Sequence, residues 1–153
     1  MSILGIRCSS KDFSFSVVKG KQDSVTLVDS GTITFPKGYS ESDTLKWLSQ
    51  EIEGIIKKHQ VHGIGIKGVE PMGMKGKSYG ARMEKEGIIF LQASLCGIKY
   101  VKRKVKSTIA KDLGMKGKGK YLETKADFSG ISGYDSANKN TQESIQAAVS
   151  MLN

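Results

Sequence analysis

Ile3-Leu4-Gly5-Ile6, Phe13-Ser14-Phe15-Ser16-Val17-Val18, Val25-Thr26-Leu27-Val28 and Ile33-Thr34-Phe35 decide how this chain folds. Apolar residues alternate with small or polar ones along these runs, and clusters of Gly, Lys, Asp and Ser separate them. A period of two with turn-forming breaks predicts an antiparallel meander of three strands. After Pro36-Lys37-Gly38 the period changes. Leu45, Leu48, Ile52, Ile55 and Ile56 share one helical face, and Ser40 to Asp43 offers capping residues, so a helix is expected over 42–58.

Val61 to Ile66 is a short apolar run that reads as a strand buried on both faces. A glycine-rich loop, Gly68 to Lys77, leads to a second helix on which Met83, Gly87, Phe90, Leu91 and Leu95 share a face, closed by Gly97 at its C-terminus. Ile98-Lys99-Tyr100-Val101 reads as a fifth strand, Val105 to Leu113 as a short helix and Gly114 to Gly133 as a loop. Ile145, Ala148, Val149 and Leu152 mark a last helix. A meander followed by β-α-β crossovers predicts an α/β fold. Its five-stranded mixed sheet has spatial order 3-2-1-4-5, strands four and five run parallel to strand one, and helices cover both faces.

The 153 residues are read as one domain, spanning 1–153. A chain of this size buries roughly 68–70% of its unfolded surface, so a hydrophobic core suffices without disulfide staples. Composition excludes collagen, low-complexity disorder and a disulfide scaffold. The N-terminus lacks the basic-then-apolar pattern of a signal peptide, and no stretch nears the ~20 apolar residues of a membrane helix, so a cytoplasmic location with no membrane partner is expected. Cys8 and Cys96 lie inside apolar stretches and are expected as buried thiols in a reducing compartment. His59 and His62 stand in unrelated positions, which argues against a Cys/His zinc site.

The formal charge of +9 is not spread evenly. Lys99 to Lys120 holds nine cations against the single acid Asp112, a net +8. Such clustering is the footprint of a phosphate-backbone binder, although a solvated lysine face is the ordinary alternative. Gly73-Met74-Lys75-Gly76-Lys77 recurs as Gly114-Met115-Lys116-Gly117-Lys118, two basic loops rather than a structural repeat. Lys75, Lys77, Lys102, Arg103, Lys104, Lys106, Lys116, Lys118 and Lys120 are the candidate nucleic-acid contacts, for DNA or RNA. An acidic protein would suit the same face. The oligomeric state is left open, a homodimer included.

Pro71 to Ser78 invites a phosphate-loop reading and fails on spacing, because Pro71 stands where G-x-x-x-x-G-K-[ST] needs glycine. No G-x-S-x-G elbow or H-E-x-x-H is present. Carboxylates are scarce near the expected sheet: Asp12, Asp23 and Asp29 fall in turns of the meander, and Glu84 and Glu86 are expected exposed on the second helix.

Taken in order, Ile3-Leu4-Gly5-Ile6, Ile64-Gly65-Ile66-Lys67, the small-residue helix from Gly80 to Gly87, Lys104-Val105-Lys106 and Asn140-x-x-Glu143-Ser144-Ile145-x-x-Ala148 resemble the RNase H-like superfamily, RuvC-type Holliday-junction resolvases in particular. The stretch from Lys75 to Ile89 is also similar to a small group of bacterial proteins of that fold. The resemblance covers nearly the whole chain. It implies a two-metal nuclease site with carboxylates on the first strand, the fourth strand and the last helix. Two metals work there because one activates water while the other stabilises the leaving oxygen. At the matching positions this chain carries Arg7, Lys67, Asn140 and Glu143, so one acid of four survives and two cations stand where metals would.

The resulting expectation is a catalytically inactive RNase H-like domain, with no metal and no cofactor, binding nucleic acid or a nucleic-acid-handling protein through its basic surface. A divergent metal nuclease using Glu143 and Glu70 is one alternative; a regulatory or assembly module with an acidic protein partner is the other. Asn140-Thr141-Gln142-Glu143 also fits a capping box, with Asn140 as N-cap. Glu70 is expected in a loop facing water. If the alignment holds, Glu143 should bridge Arg7 or Lys67.

Overall fold

A computed structural model describes residues 1–71, 76–116 and 118–153. β1 (Ser2–Cys8) lies at the middle of one five-stranded sheet. It pairs antiparallel with β2 (Asp12–Lys21), which pairs antiparallel with β3 (Ser24–Thr34). On its other side β1 runs parallel to β4 (Gly63–Lys67), and β4 parallel to β5 (Tyr100–Lys104), giving the order β3-β2-β1-β4-β5 expected from the meander and crossovers. The helices are α1 (Glu41–His59), α2 (Ser78–Leu95), α3 (Lys106–Asp112), α4 (Gly119–Thr124) and α5 (Lys139–Val149).

Alternation along β1 sorts the core into two layers. Leu4, Ile6 and Cys8 join Ile64 and Ile66 of β4 against Leu48, Ile52 and Ile56 of α1 and Ile89 and Ala93 of α2. On the opposite face Ile3 joins Ile109 of α3, Leu122 of α4, and Ile145 and Ala148 of α5. Gly5 and Gly65 share that second face and are partners in the parallel register. A Cβ on Gly5 would stand 1.9 Å from the Ser144 carbonyl oxygen, and one on Gly65 2.8 Å from that of Ala147. The paired glycines therefore let α5 lie directly on the strand backbones. Two residues further along each strand, on the same face, stand Arg7 and Lys67.

Several element expectations need correction. The face of α2 that meets the core carries Lys85, Glu86, Ile89, Gln92 and Ala93, whereas Leu91 and Leu95 are 54% and 70% exposed and Gly87 is exposed. An apolar-only reading missed it because polar residues here are buried with partners. Gln92 accepts from Ser49 Oγ at 2.7 Å and donates to Glu53 Oε2 at 3.1 Å, and Glu86 pairs with Arg103.

The fifth strand begins at Tyr100, not Ile98. Ile98 donates its N–H to the Ala93 carbonyl and so finishes the turn that ends α2, with Gly97 at a positive φ of 75°. The ladder then runs from Gly63 opposite Tyr100 to Lys67 opposite Lys104, placing the basic run Lys102-Arg103-Lys104 on an edge strand, where charge discourages further pairing. The expected loop from Gly114 to Gly133 contains α4, held to the core by buried Leu122. Cys8 and Cys96 are free thiols. No described helix is long and apolar enough to cross a membrane.

Candidate functional site

Arg7 and Lys67 end adjacent parallel strands, and α5 runs across the same face, so the site lies at the carboxyl edge of the sheet, where ligands of open α/β folds bind. The Lys67 side chain is only 3% exposed. Its ammonium donates to the Gly68 carbonyl at 3.0 Å and to Glu70 Oε2 at 2.8 Å, with Glu143 Oε1 3.9 Å away. The same Glu143 oxygen is 3.7 Å from Arg7 Nε. Glu143 therefore lies within ion-pair distance of both strand-end cations, where a bridge to one or the other was expected. Arg7 Nη1 donates to the Cys8 carbonyl at 2.7 Å.

Arg82, which sequence reasoning missed, reaches in from α2 and donates from Nη2 to the Lys67 carbonyl at 3.3 Å. Burial, reinforced by repulsion from Arg7, pulls its pKa below the usual guanidinium value, against the opposing pull of Glu86 and Glu143. Its only sequence signal is a basic residue in the first turns of α2, which periodicity cannot distinguish from a solvated one. Around these groups opens a cleft of about 690 Å³, with Lys106, Glu123, Lys139 and Asn140 also on its walls.

Glu70 lies in the expected loop, but only part of its side chain faces water. Besides Lys67, it accepts the backbone N–H of Lys106 at 3.1 Å, tying the loop after β4 to the start of α3. Nor does Asn140 cap α5. Asn138 is the cap, with extended backbone and its side chain accepting from the Thr141 N–H at 2.8 Å. Asn140 thus falls within the first turn, and Glu143, a full turn past the cap, is released from capping and turned to the cleft. Glu86, expected exposed, is fully buried, with Oε1 2.7 Å from Arg103 Nε and Oε2 without a hydrogen-bond partner among the described residues.

The residues do not fit the two metals implied by the resemblance. A lysine ammonium already lies between Glu70 and Glu143, and Arg7 supplies a second positive charge against the same carboxylate. Among the described residues no three of His, Cys, Asp and Glu come together closely enough to hold a metal ion.

The basic stretch divides in two. Lys104 is buried, paired with Asp112 and within 3.5 Å of the Ser150 carbonyl. Arg103 is held by Glu86 and lies 4.8 Å from the Phe90 ring centre. Lys106 pairs with Glu123, which raises the lysine pKa and lowers that of the carboxyl. These three are committed to the fold. Lys77, Lys102, Lys116, Lys118 and Lys120 are exposed, while Lys75 lies outside the described residues. Lys118, Lys120 and Lys125 gather 5.9, 5.6 and 4.2 Å from the Tyr121 ring centre, a cationic aromatic surface on α4 that the loop reading concealed.

No family model matches the sequence, and no curated protein is significantly similar to it. Solved structures are more informative. Thermus thermophilus RuvC superposes with a TM-score of 0.76 at 11% identity, covering 98% of this chain and 92% of that one. The same protein in complex with a Holliday junction substrate gives 0.75 at 10% identity, over 98% and 91%. The yeast mitochondrial Holliday junction resolvase Ydc2 gives 0.59 at 15% identity, over 97% and 77%. At such identities the likeness speaks for architecture alone: this chain has the RNase H-like fold in its RuvC form.

Proposed function

We propose that this RuvC-like domain binds nucleic acid without cutting it. The observation that carries the reading is the Lys67 ammonium, 2.8 Å from Glu70 and 3.9 Å from Glu143, with Arg7 across the same carboxylate. Hydrolysis in this fold needs dense negative charge to hold divalent ions. Here Glu143 and the neighbouring Glu70 are already neutralised by fixed side-chain cations, and a metal entering the site would meet two positive charges at close range. Binding is supported by the exposed lysines of β5 and of the segment around α4, which add sequence-independent attraction for phosphate, and by Tyr121, whose ring offers a stacking surface for an unpaired base.

Incubation with plasmid, duplex and four-way-junction DNA, and with RNA, in magnesium or manganese tests the silent half of the reading. Intact substrate is expected throughout. Metal-dependent cleavage that Glu143→Gln abolishes would replace this reading with that of a divergent nuclease.

A further inference from the structure

The metal mismatch carries a more specific consequence. We propose that the cleft seats one backbone phosphate directly on the Arg7 and Arg82 guanidinium groups, with the Lys67 ammonium as the fixed central charge. This deepens the nucleic-acid reading above and rests on it, naming the chemical group that the site recognises.

Both guanidinium groups are under-satisfied in a way that specifies an acceptor. Arg7 spends Nη1 on the Cys8 carbonyl and Arg82 spends Nη2 on the Lys67 carbonyl. The Nε–H of each is sealed from solvent, but the second terminal nitrogen of each, Nη2 of Arg7 and Nη1 of Arg82, has no hydrogen bond among the described residues and is not sealed off. Two guanidinium groups that line one cleft, each with a terminal nitrogen uncommitted, are answered most simply by one multi-oxygen anion. Glu143 does not fill that role, since its 3.7 Å approach to Arg7 Nε is an ion pair without a hydrogen bond. Arg82 has no carboxylate within ion-pair distance among the described residues.

The acids on the cleft walls do not cancel this demand. Glu123 is held by Lys106, Asp127 accepts from the Ser129 N–H and hydroxyl, and Glu70 from Lys67 and the Lys106 N–H. Exposed Asp135 and Lys139, both on the wall, offset one another in charge. A phosphate with several oxygens can meet donors from two guanidinium forks at once, which a single carboxylate oxygen cannot. The volume of about 690 Å³ accommodates the neighbouring sugars as well.

The experiment uses the full chain in EDTA. Inorganic phosphate is titrated while the Nε–H resonances of Arg7 and Arg82 are followed by NMR, and a labelled 12-nucleotide single strand is titrated by fluorescence anisotropy into the unmodified protein and Arg82→Gln. Both resonances should shift and saturate with phosphate, and Arg82→Gln should weaken oligonucleotide binding by about tenfold. The phosphate titration of the unmodified chain needs no variant to fold. Oligonucleotide binding that Arg82→Gln leaves unchanged, with neither resonance moved by phosphate, would overturn this inference and leave the nucleic-acid reading standing. Resonance shifts with no oligonucleotide binding would overturn the nucleic-acid reading and the backbone-phosphate assignment with it. No response to either probe would overturn both.

Discussion

Glu143 on α5 reaches the Lys67 ammonium on β4 at 3.9 Å, across the face where Gly5 and Gly65 bring helix and strands into contact. Removing the charge strands Arg7 and leaves Lys67 with Glu70 alone. A broken buried pair costs about 3–5 kcal/mol, but these contacts are long and Lys67 keeps one partner, so Glu143→Gln should cost about 2 kcal/mol. Urea denaturation checks this; an unchanged midpoint would show that the bridge does no structural work.

Gly5→Ala and Gly87→Ala should move stability in opposite directions. The first puts a methyl group 1.9 Å from the Ser144 carbonyl oxygen, and α5 must lift off the sheet. A loss of at least about 3 kcal/mol is expected, as for severe overpacking. Gly87 is an exposed helical position with nothing within 4 Å of its would-be Cβ, and alanine there should add about 0.5–1 kcal/mol. Thermal unfolding of the two variants gives the comparison.

Burial pushes the Cys8 thiol up to about 12, with the Glu86 charge adding to the effect. The folded state therefore keeps the proton that the unfolded thiol gives up near its ordinary value. Between about pH 9 and 12 the unfolded state binds fewer protons, so stability falls as pH rises, by up to about 4 kcal/mol across the window. Cys8→Ala should flatten that loss between pH 9 and 11 relative to the unmodified protein. In native protein at pH 8, Cys8 should resist alkylation. An equal slope in the variant, or rapid labelling of Cys8, would contradict the buried-thiol assignment.

The strand order was legible because strand period, meander spacing and β-α-β handedness all point to one topology. The placement of Arg7 and Lys67 was legible through resemblance, and the structure adds its cause: Gly5-x-Arg7 and Gly65-x-Lys67 repeat one spacing on paired strands, so both cations follow a helix-contact glycine on the same face. Polar residues with hidden partners were not legible. Glu86 was expected exposed and Lys104 among the nucleic-acid contacts, yet both are buried, as is Gln92, each against a partner on another element. The cap of α5 was misplaced because Asn138 and Asn140 are equally good capping residues, and only the extended backbone at Asn138 selects between them. Helix α4 was hidden by its glycine and lysine content, since one buried leucine leaves no periodic trace.

Charge reversal at the strand ends should recreate what the cations now exclude. Arg7→Asp combined with Lys67→Glu would place two new carboxylates beside Glu70 and Glu143, a donor set suited to magnesium or manganese. Calorimetry should detect millimolar or tighter manganese binding in the double variant and none in the unmodified protein. Equal binding by both, or by neither, would count against the vacated-site account.

On the proposed function, this fold holds nucleic acid with its own cations in place of metal ions. The most direct test is the affinity for a labelled DNA duplex in EDTA across a salt series, repeated with manganese. With five exposed lysines at 102, 116, 118, 120 and 125 engaging phosphates, log affinity should fall against log salt with a slope of about −4.5, unchanged in manganese and with the duplex left intact. No binding at low salt in EDTA, or binding and cleavage that appear only with manganese, would contradict it.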